Sequence, residues 1–342
     1  MTPQFDFAHA YGKPVSQAKL KARPEDFIVE ERIAYDLSGE GEHLWIWVEK
    51  CEQNTDWVAK QIAGFIGIAP REMGVAGKKD RHAVTRQWMS CHLPGKADPD
   101  FSALDIPGVK VLKKVRHSRK LQTGGLAGNH FQIRLTGFDG EVSDVESRLQ
   151  VIREQGVPNY FGEQRFGNDF QNLANASRMF RGDSRPKRHQ KTMYLSAVRS
   201  WIFNEVLSLR IEQKNWNQYV GGDVFQLEGS QKWFADDGSD DLPQRLTALD
   251  IHPTGPLIGR GELPSQQSIL ALEQSVVDHH PLWRKGLENA GMKQERRALR
   301  VLPKQLDWQW EKGVDNEQNL LVHFDLPAGA FATMVIRELV ND

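Results

Sequence analysis

Residues 75–87 read VAGKKDRHAVTRQ, in which a single aspartate, Asp80, stands among Lys78, Lys79, Arg81 and Arg86. Cations so near favour the ionised carboxylate, so Asp80 is expected to stay charged well below its reference pKa of about 3.9. Such a group suits a nucleophile or an electrostatic stabiliser better than a proton donor. Aspartate, lysine and glycine are also common in exposed loops, and taken alone the segment reads more simply as an ion-paired surface turn.

Other chemistries find no support in residue spacing. There is no GxxxxGK[ST], so AGKK at 76–79 is no phosphate loop. His279 and His280 adjoin each other without an HExxH or comparable ligand spacing, and read as a polar helix end. No GxSxG elbow occurs, and Glu30 and Glu31, adjacent on a strand, point to opposite faces and cannot work as one acid/base pair. Cys51 and Cys91 are too few for a disulfide scaffold or a thiolate zinc site.

The elements that must position Asp80 follow from periodicity. EDFIVEERI and HLWIWVEK carry the β-branched and aromatic runs of strands, with SGEGE between them as a turn. Asn54 is placed to cap a helix reaching Gly67, with Trp57, Val58, Ile62, Phe65 and Ile66 at helical spacing. REMGVAG and RQWMSCHL read as two more strands, which makes KKDRHAVT a loop held by a sheet. HFQIRLTGF at 130–138 alternates as a strand, and Ser143 with Glu146 forms a capping box for a helix carrying Val145, Leu149 and Ile152 and ended by Gly156. From residue 156 to about 300 helices dominate, LSAVRSWIFNEVLSL and QSILALEQSVVDHH being the clearest, with a small hairpin expected in GGDVFQLEGSQKWF. Strand patterning returns in VLPKQLDWQWEK and NLLVHFDLPAGAF, before a short helix in ATMVIRELV. The pattern predicts a sheet domain made from both chain ends and interrupted by a helical insertion.

At 342 residues the chain exceeds what one core usually serves, so two domains are expected. No apolar run approaches the roughly 20 residues needed to cross a bilayer, and the amino end MTPQFDFAHAYGKP lacks the pattern of a secretory signal. A cytoplasmic protein is expected, and, without a sustained heptad, a monomer. The formal net charge is −1, yet the charges are segregated. KVLKKVRHSRK at 110–120 holds no acid and RMFRGDSRPKRHQK at 178–191 holds only Asp183, while acids gather in ADDGSDD at 235–241. Either basic run alone reads as a solvated face; the two together, with the acids segregated, raise a polyanion partner as an equal reading.

Six blocks occur in one order: LKARPEDFIVEE at 20–31, VAGKKDRHAVTRQW at 75–88, LAGNHF at 126–131, GVPNYFGEQRFG at 156–167, TGPLIG at 254–259 and LPAGAFATMVIREL at 326–339. Together they closely resemble the TruD-type tRNA pseudouridine synthases, across nearly the whole chain. The resemblance implies an α+β protein with the pseudouridine synthase fold, a mixed, mainly antiparallel sheet flanked by helices, and an inserted family-specific α/β domain. The catalytic domain would then comprise residues 1–155 and 304–342, with the insertion at 156–303. It also implies isomerisation of a uridine within tRNA, uridine thirteen in bacterial members, without cofactor or metal: the N1–C1′ bond breaks, the base turns, and C5 joins C1′.

By position in the matching motifs, Asp80 falls on the catalytic aspartate. Phe27, Asn129 and Phe331 fall on residues that contact the substrate nucleotide, Phe131 on the place of a tyrosine beside the target base, and Lys21 is a weaker member of the same set. A base that must leave its ribose and rotate has to be extruded and held between apolar or aromatic faces, which the phenylalanines can supply. Asn129 offers donors and an acceptor for a uracil edge or for orienting Asp80. Lys113, Lys114, Arg116 and Arg119 in the first basic run and Arg185, Lys187 and Arg188 in the second become candidates for the RNA backbone. A non-catalytic RNA-binding or RNA-chaperone protein on the same scaffold is the alternative, and a metal-dependent nuclease would need clustered carboxylates that are not found near Asp80.

Overall fold

The computed structural model describes residues 4–313 and 317–341. In chain order, β1 (Gln17–Leu20), β2 (Phe27–Ile33), β3 (His43–Cys51), α1 (Thr55–Ile66), β4 (Met73–Val75), β5 (Val84–His92), β6 (Val109–His117), β7 (Leu126–Asp139) and α2 (Val142–Gln155) make up the first part. There follow β8 (Val157–Pro158), α3 (Gln171–Arg181), α4 (Arg188–Glu212), β9 (Val224–Leu227), β10 (Trp233–Ala235), α5 (Leu242–Thr247), β11 (Ile251–Leu257), α6 (Gln267–Asp278), α7 (Pro281–Asn289), β12 (Glu295–Ala298) and β13 (Arg300–Val301). The chain then returns through β14 (Lys304–Lys312), β15 (Gln318–Pro327) and α8 (Ala332–Arg337).

The chain divides into two compact units. One is Val15–Val142 with Pro303–Gly329 and Val340–Asp342; the other is Met1–Pro14 with Ser143–Leu302 and Ala330–Leu339. The first unit is a nine-stranded sheet in the order β14-β15-β7-β2-β5-β3-β6, to which β1 adds on β7 and β4 on β5. Its ladders are antiparallel apart from β2 and β5, which run parallel through Ile28↔Val84, Val29↔Thr85 and Glu30↔Arg86. The protein is thus α+β, mainly antiparallel, with both chain ends contributing to one sheet as the strand patterning at 304–327 predicts.

Alternation along the strands explains the core of this unit. On β3, Leu44, Ile46 and Val48 share one face and bury against α1, whose Val58, Ile62 and Ala63 are fully buried. Trp45 and Trp88 lie on the opposite face with Leu121. Asn54 caps α1 by accepting from the Asp56 amide at 2.9 Å, and Gly67 ends it in the left-handed conformation at φ 75°. The apolar stripe is narrower than expected. Trp57 and Phe65 are both 40% exposed, because their angular positions on the helix lie away from the Val58–Ile62–Ala63 face.

The second unit packs α3, α4, α6 and α7 around buried Phe166, Leu173, Val198, Phe203 and Leu207. An antiparallel sheet in the order β10-β9-β11-β12 stands with them, and the β9–β10 hairpin confirms the expectation at 221–234. The helix α2 begins at Val142, so Ser143 sits inside its first turn rather than at its cap; helix ends shift by a residue when the first turn can close earlier. Gly156, at φ 80°, closes it by donating its amide to the Ile152 carbonyl at 2.8 Å.

Replacing Ile62 with Ala should cost about 2 to 5 kcal/mol, since it empties a fully buried position between α1 and the sheet. Chemical denaturation checks this, and a loss under about 1 kcal/mol would mean that α1 is not anchored through that residue.

Candidate active site

The loop between β4 and β5 is held from beneath by buried polar groups. The Gly77 carbonyl accepts from Gln87 Nε2 at 3.2 Å, and the Lys79 amide donates to Thr55 Oγ1 at 3.1 Å. Thr55 Oγ1 in turn donates to Gln87 Oε1 at 3.1 Å. Lys50, buried on β3, donates from Nζ to the Asp80 carbonyl at 2.7 Å. Each group satisfies a polar atom that the loop would otherwise leave unmet, so the Asp80 main chain is fixed before any ligand binds. Burial drives the Lys50 ammonium down to about 8, against the pull of Asp80 and with Lys79 adding to the fall.

The Asp80 side chain is 31% exposed and bonds to Lys21 through Oδ2, while Oδ1 accepts from the His82 amide at 3.0 Å. Burial alone would raise its pKa, but the Lys21 ammonium and the His82 amide outweigh burial and hold the carboxyl below the usual aspartate range. The cations beside it in sequence are engaged elsewhere. Lys78 pairs with Asp56 at 2.5 Å, Lys79 with Glu31 at 2.8 Å, and Arg86 with Glu30 and Glu49 at 2.5 and 2.8 Å. Arg81 donates to the Glu52 carbonyl at 3.1 Å. Asp80 is ionised as expected, but through Lys21 and not through its neighbours, because loop geometry turns those four side chains away.

Lys21 follows β1 in the left-handed conformation, at φ 57°, an unusual backbone for a lysine. That bend carries its ammonium to 4.2 Å from the centre of the Phe27 ring while it pairs with Asp80. The β2–β7 register places Phe27, Val29 and Glu31 opposite Ile133, Phe131 and Asn129, all on one face of the sheet. Phe27 and Phe131 meet edge to face at 6.2 Å, and Phe131 stacks on Phe324 at 5.5 Å. Both rings are nearly closed off, at 5% and 6% exposure, so they form a floor rather than an open clamp. Asn129 Oδ1 is buried with no partner among the described residues. Gly128 lets β7 reach this position, because a Cβ there would sit 2.4 Å from the Leu326 carbonyl oxygen.

Phe331 lies in the second unit, at the cap of α8, against Phe161 at 6.2 Å. Of the basic runs, Lys113, Lys114 and Arg119 are exposed on and just beyond β6, an edge strand of the sheet unit. Arg116 is committed to Asp98 at 2.6 Å and to the Leu93 and Lys96 carbonyls, and so braces the loop after β5. Arg185, Lys187 and Arg188 lie at the start of α4 in the second unit, where the helix dipole disfavours cations. Sequence reasoning missed Lys50, Thr55 and Gln87 at the site. Only their burial on elements that flank the loop singles them out.

Replacing Lys21 with Met leaves burial unopposed by its charge at Asp80, so the carboxyl pKa should rise, as read by a carbon-13 carboxyl titration. Because the native value is depressed, the stability from the pair is present above the unfolded aspartate pKa and lost as pH falls through the folded one. The stability gap between wild type and Lys21→Met should therefore close in acid. An unmoved carboxyl midpoint would mean that another group sets the Asp80 charge.

Known proteins share the sequence of this chain and its fold. The family profile described as tRNA pseudouridine synthase D (TruD) matches residues 8–186 and 170–339. The chain is 62% identical over 334 residues to a tRNA pseudouridine synthase D of Hydrogenovibrio crunogenus, covering 97% of this chain and 95% of that one. It is 46% identical over 337 residues to one of Nitrosococcus oceani, covering 97% and 93%. A crystallised Methanosarcina mazei chain assigned to the same family by name superposes with a TM-score of 0.75 at 19% identity, over 97% of this chain and 95% of that one, and shares its fold. With the family profile spanning nearly its full length, the chain belongs to the TruD family of tRNA pseudouridine synthases.

Proposed function

We propose that this protein isomerises uridine to pseudouridine in tRNA, at uridine thirteen, with Asp80 as the reacting carboxylate. The observation that carries the reading is an ionised, partly exposed aspartate pinned by Lys21 beside Phe27, in a chain of this family. The reaction breaks N1–C1′, lets the uracil turn, forms C5–C1′, releases the C5 hydrogen and returns a proton to N1. An ionised carboxylate can add to C1′ or to C6, or remove a ribose proton on the way to a glycal, and each course needs it unprotonated when the nucleotide arrives.

The surrounding groups fit the same task. Phe27 and Phe131 give the sheet face an apolar floor for an extruded base. Asn129, whose buried oxygen has no partner among the described residues, has an acceptor to offer a uracil N–H. Phe331 is assigned to the same nucleotide, and Lys113, Lys114, Arg119, Arg185, Lys187 and Arg188 to the tRNA backbone, with Arg116 in a bracing role. Among the described residues no cluster of His, Cys, Asp and Glu could hold a metal ion, and no helix is long and apolar enough to cross a membrane.

Tritium release from C5-labelled, pseudouridine-free tRNA reports the isomerisation directly. Wild type should release label, also in the presence of a strong chelator, while Asp80→Asn should fall by at least about 10³-fold and still bind tRNA. Full turnover by Asp80→Asn would overturn the assignment, and binding without turnover by wild type would favour an RNA-binding protein. Neutralising Lys113, Lys114 and Arg119 together should weaken binding and flatten its salt dependence by about 0.7 to 0.9 for each phosphate no longer neutralised.

A further inference from the structure

Buried arginines in the second unit are paired with acids or carbonyls, Arg199 included, whose Nη2 donates to the Leu257 and Lys293 carbonyls and to Glu295 although its Nε has no partner among the described residues; the half-buried Arg165 is provided for least. Arg210 donates to both carboxylate oxygens of Asp223, at 2.7 and 2.9 Å, and Arg296 to both of Glu273, at 2.9 and 2.7 Å. Arg300 spreads its donors over His252 Nδ1 and the Leu246 and Ile251 carbonyls. Arg165 has no such set. Among the described residues its buried Nε finds no partner, and its side chain makes one long hydrogen bond, from Nη1 to Ser196 Oγ at 3.4 Å.

The position of Arg165 is nevertheless well defined. It lies on the short turn Glu163–Phe166, where its amide donates to the Gly162 carbonyl at 2.9 Å and its carbonyl accepts from Asn172 Nδ2 at 3.2 Å. The guanidinium stands 5.6 Å from the centre of the Phe161 ring and 5.8 Å from that of Phe331. A second cation shares the Phe161 ring: the Arg297 guanidinium lies 4.1 Å from its centre and donates to the Asn159 Oδ1 and carbonyl at 2.5 and 3.2 Å. Burial lowers both groups, Arg297 to about 9 with the charge of Arg165 adding to the fall.

Two partly desolvated positive charges side by side, one with idle donors, are costly for a folded chain to keep. The missing complement is an anion that can accept from a planar fork of N–H groups, as a phosphate does. We propose that Arg165, reinforced by the charge of Arg297, binds a phosphodiester of the RNA next to the nucleotide that Phe331 contacts. This rests on the tRNA reading above and adds a phosphate site that lies outside both basic runs. The aromatic rings hold the guanidinium in place and exclude water, so one phosphate bound here outweighs one bound by an exposed lysine.

The test is tRNA binding by wild type, Arg165→Gln and Arg165→Lys across a salt series, with thermal melts of each protein. Arg165→Gln should bind at least about 10-fold more weakly, with the slope of log affinity against log salt shallower by about 0.7 to 0.9. Arg165→Lys should recover the slope, since charge is restored, but only part of the affinity, since the fork is not. Unchanged slope and affinity in Arg165→Gln, or a lowered melting temperature with an unchanged slope, would make Arg165 a packing residue and overturn the proposal. Stabilisation of wild type but not Arg165→Gln by inorganic phosphate, with the tRNA slope unchanged, would replace the RNA backbone by a free anion and overturn it as well. Failure of wild type to bind tRNA at all would overturn the functional reading first.

Discussion

The contact between Lys21 and Asp80 sets the character of the site. A carboxylate half withdrawn from water is pushed toward its neutral form, and a neutral carboxyl can neither attack nor abstract. The ammonium of Lys21 reverses that push, and its seat against Phe27 keeps it from wandering into solvent. The strain falls locally on the left-handed backbone at Lys21, a conformation that persists when the surrounding structure determines it.

Around this pair the sheet uses buried polar side chains as scaffolding. Glu31 shows how: where the parallel β2–β5 pairing stops, its carboxylate takes the Trp88 amide at 2.9 Å and the Lys79 ammonium at 2.8 Å. One acid thus ends a ladder and anchors the loop that carries Asp80. Lys50, Thr55 and Gln87 do the same for the rest of that loop. Because each group would cost free energy if left unpaired, the loop has little freedom to drift, and the carboxylate is presented in one orientation.

The second unit distributes its charge differently. Its structural arginines are neutralised by acids or saturated by carbonyls, as at Arg210, Arg296 and Arg300. Arg165 departs furthest from that practice beside Phe331, with one long hydrogen bond for its guanidinium, and such a departure is where function is expected to have displaced stability.

How much of this could be read from residues alone depends on range. The capped helix α1, the strands β5, β7 and β15, the hairpin after residue 221 and the choice of Asp80 all rest on local signals, since caps, strand composition and motif blocks involve residues close in sequence. Lys21 was legible only as part of a motif, and its pairing with Asp80, 59 residues away, was not. Four nearer cations made a plausible but mistaken source for that charge, because sequence proximity does not say which way a loop side chain turns. Lys50 and Thr55 carried no signal, and Gln87 and Arg165, though inside motif blocks, read as ordinary polar residues until burial leaves their donors and acceptors with few alternatives. The sequence by itself determined the elements and singled out Asp80 as the candidate carboxylate; the tertiary structure decided which charges meet, because pairing depends on strand register and desolvation, and neither is a property of neighbouring residues.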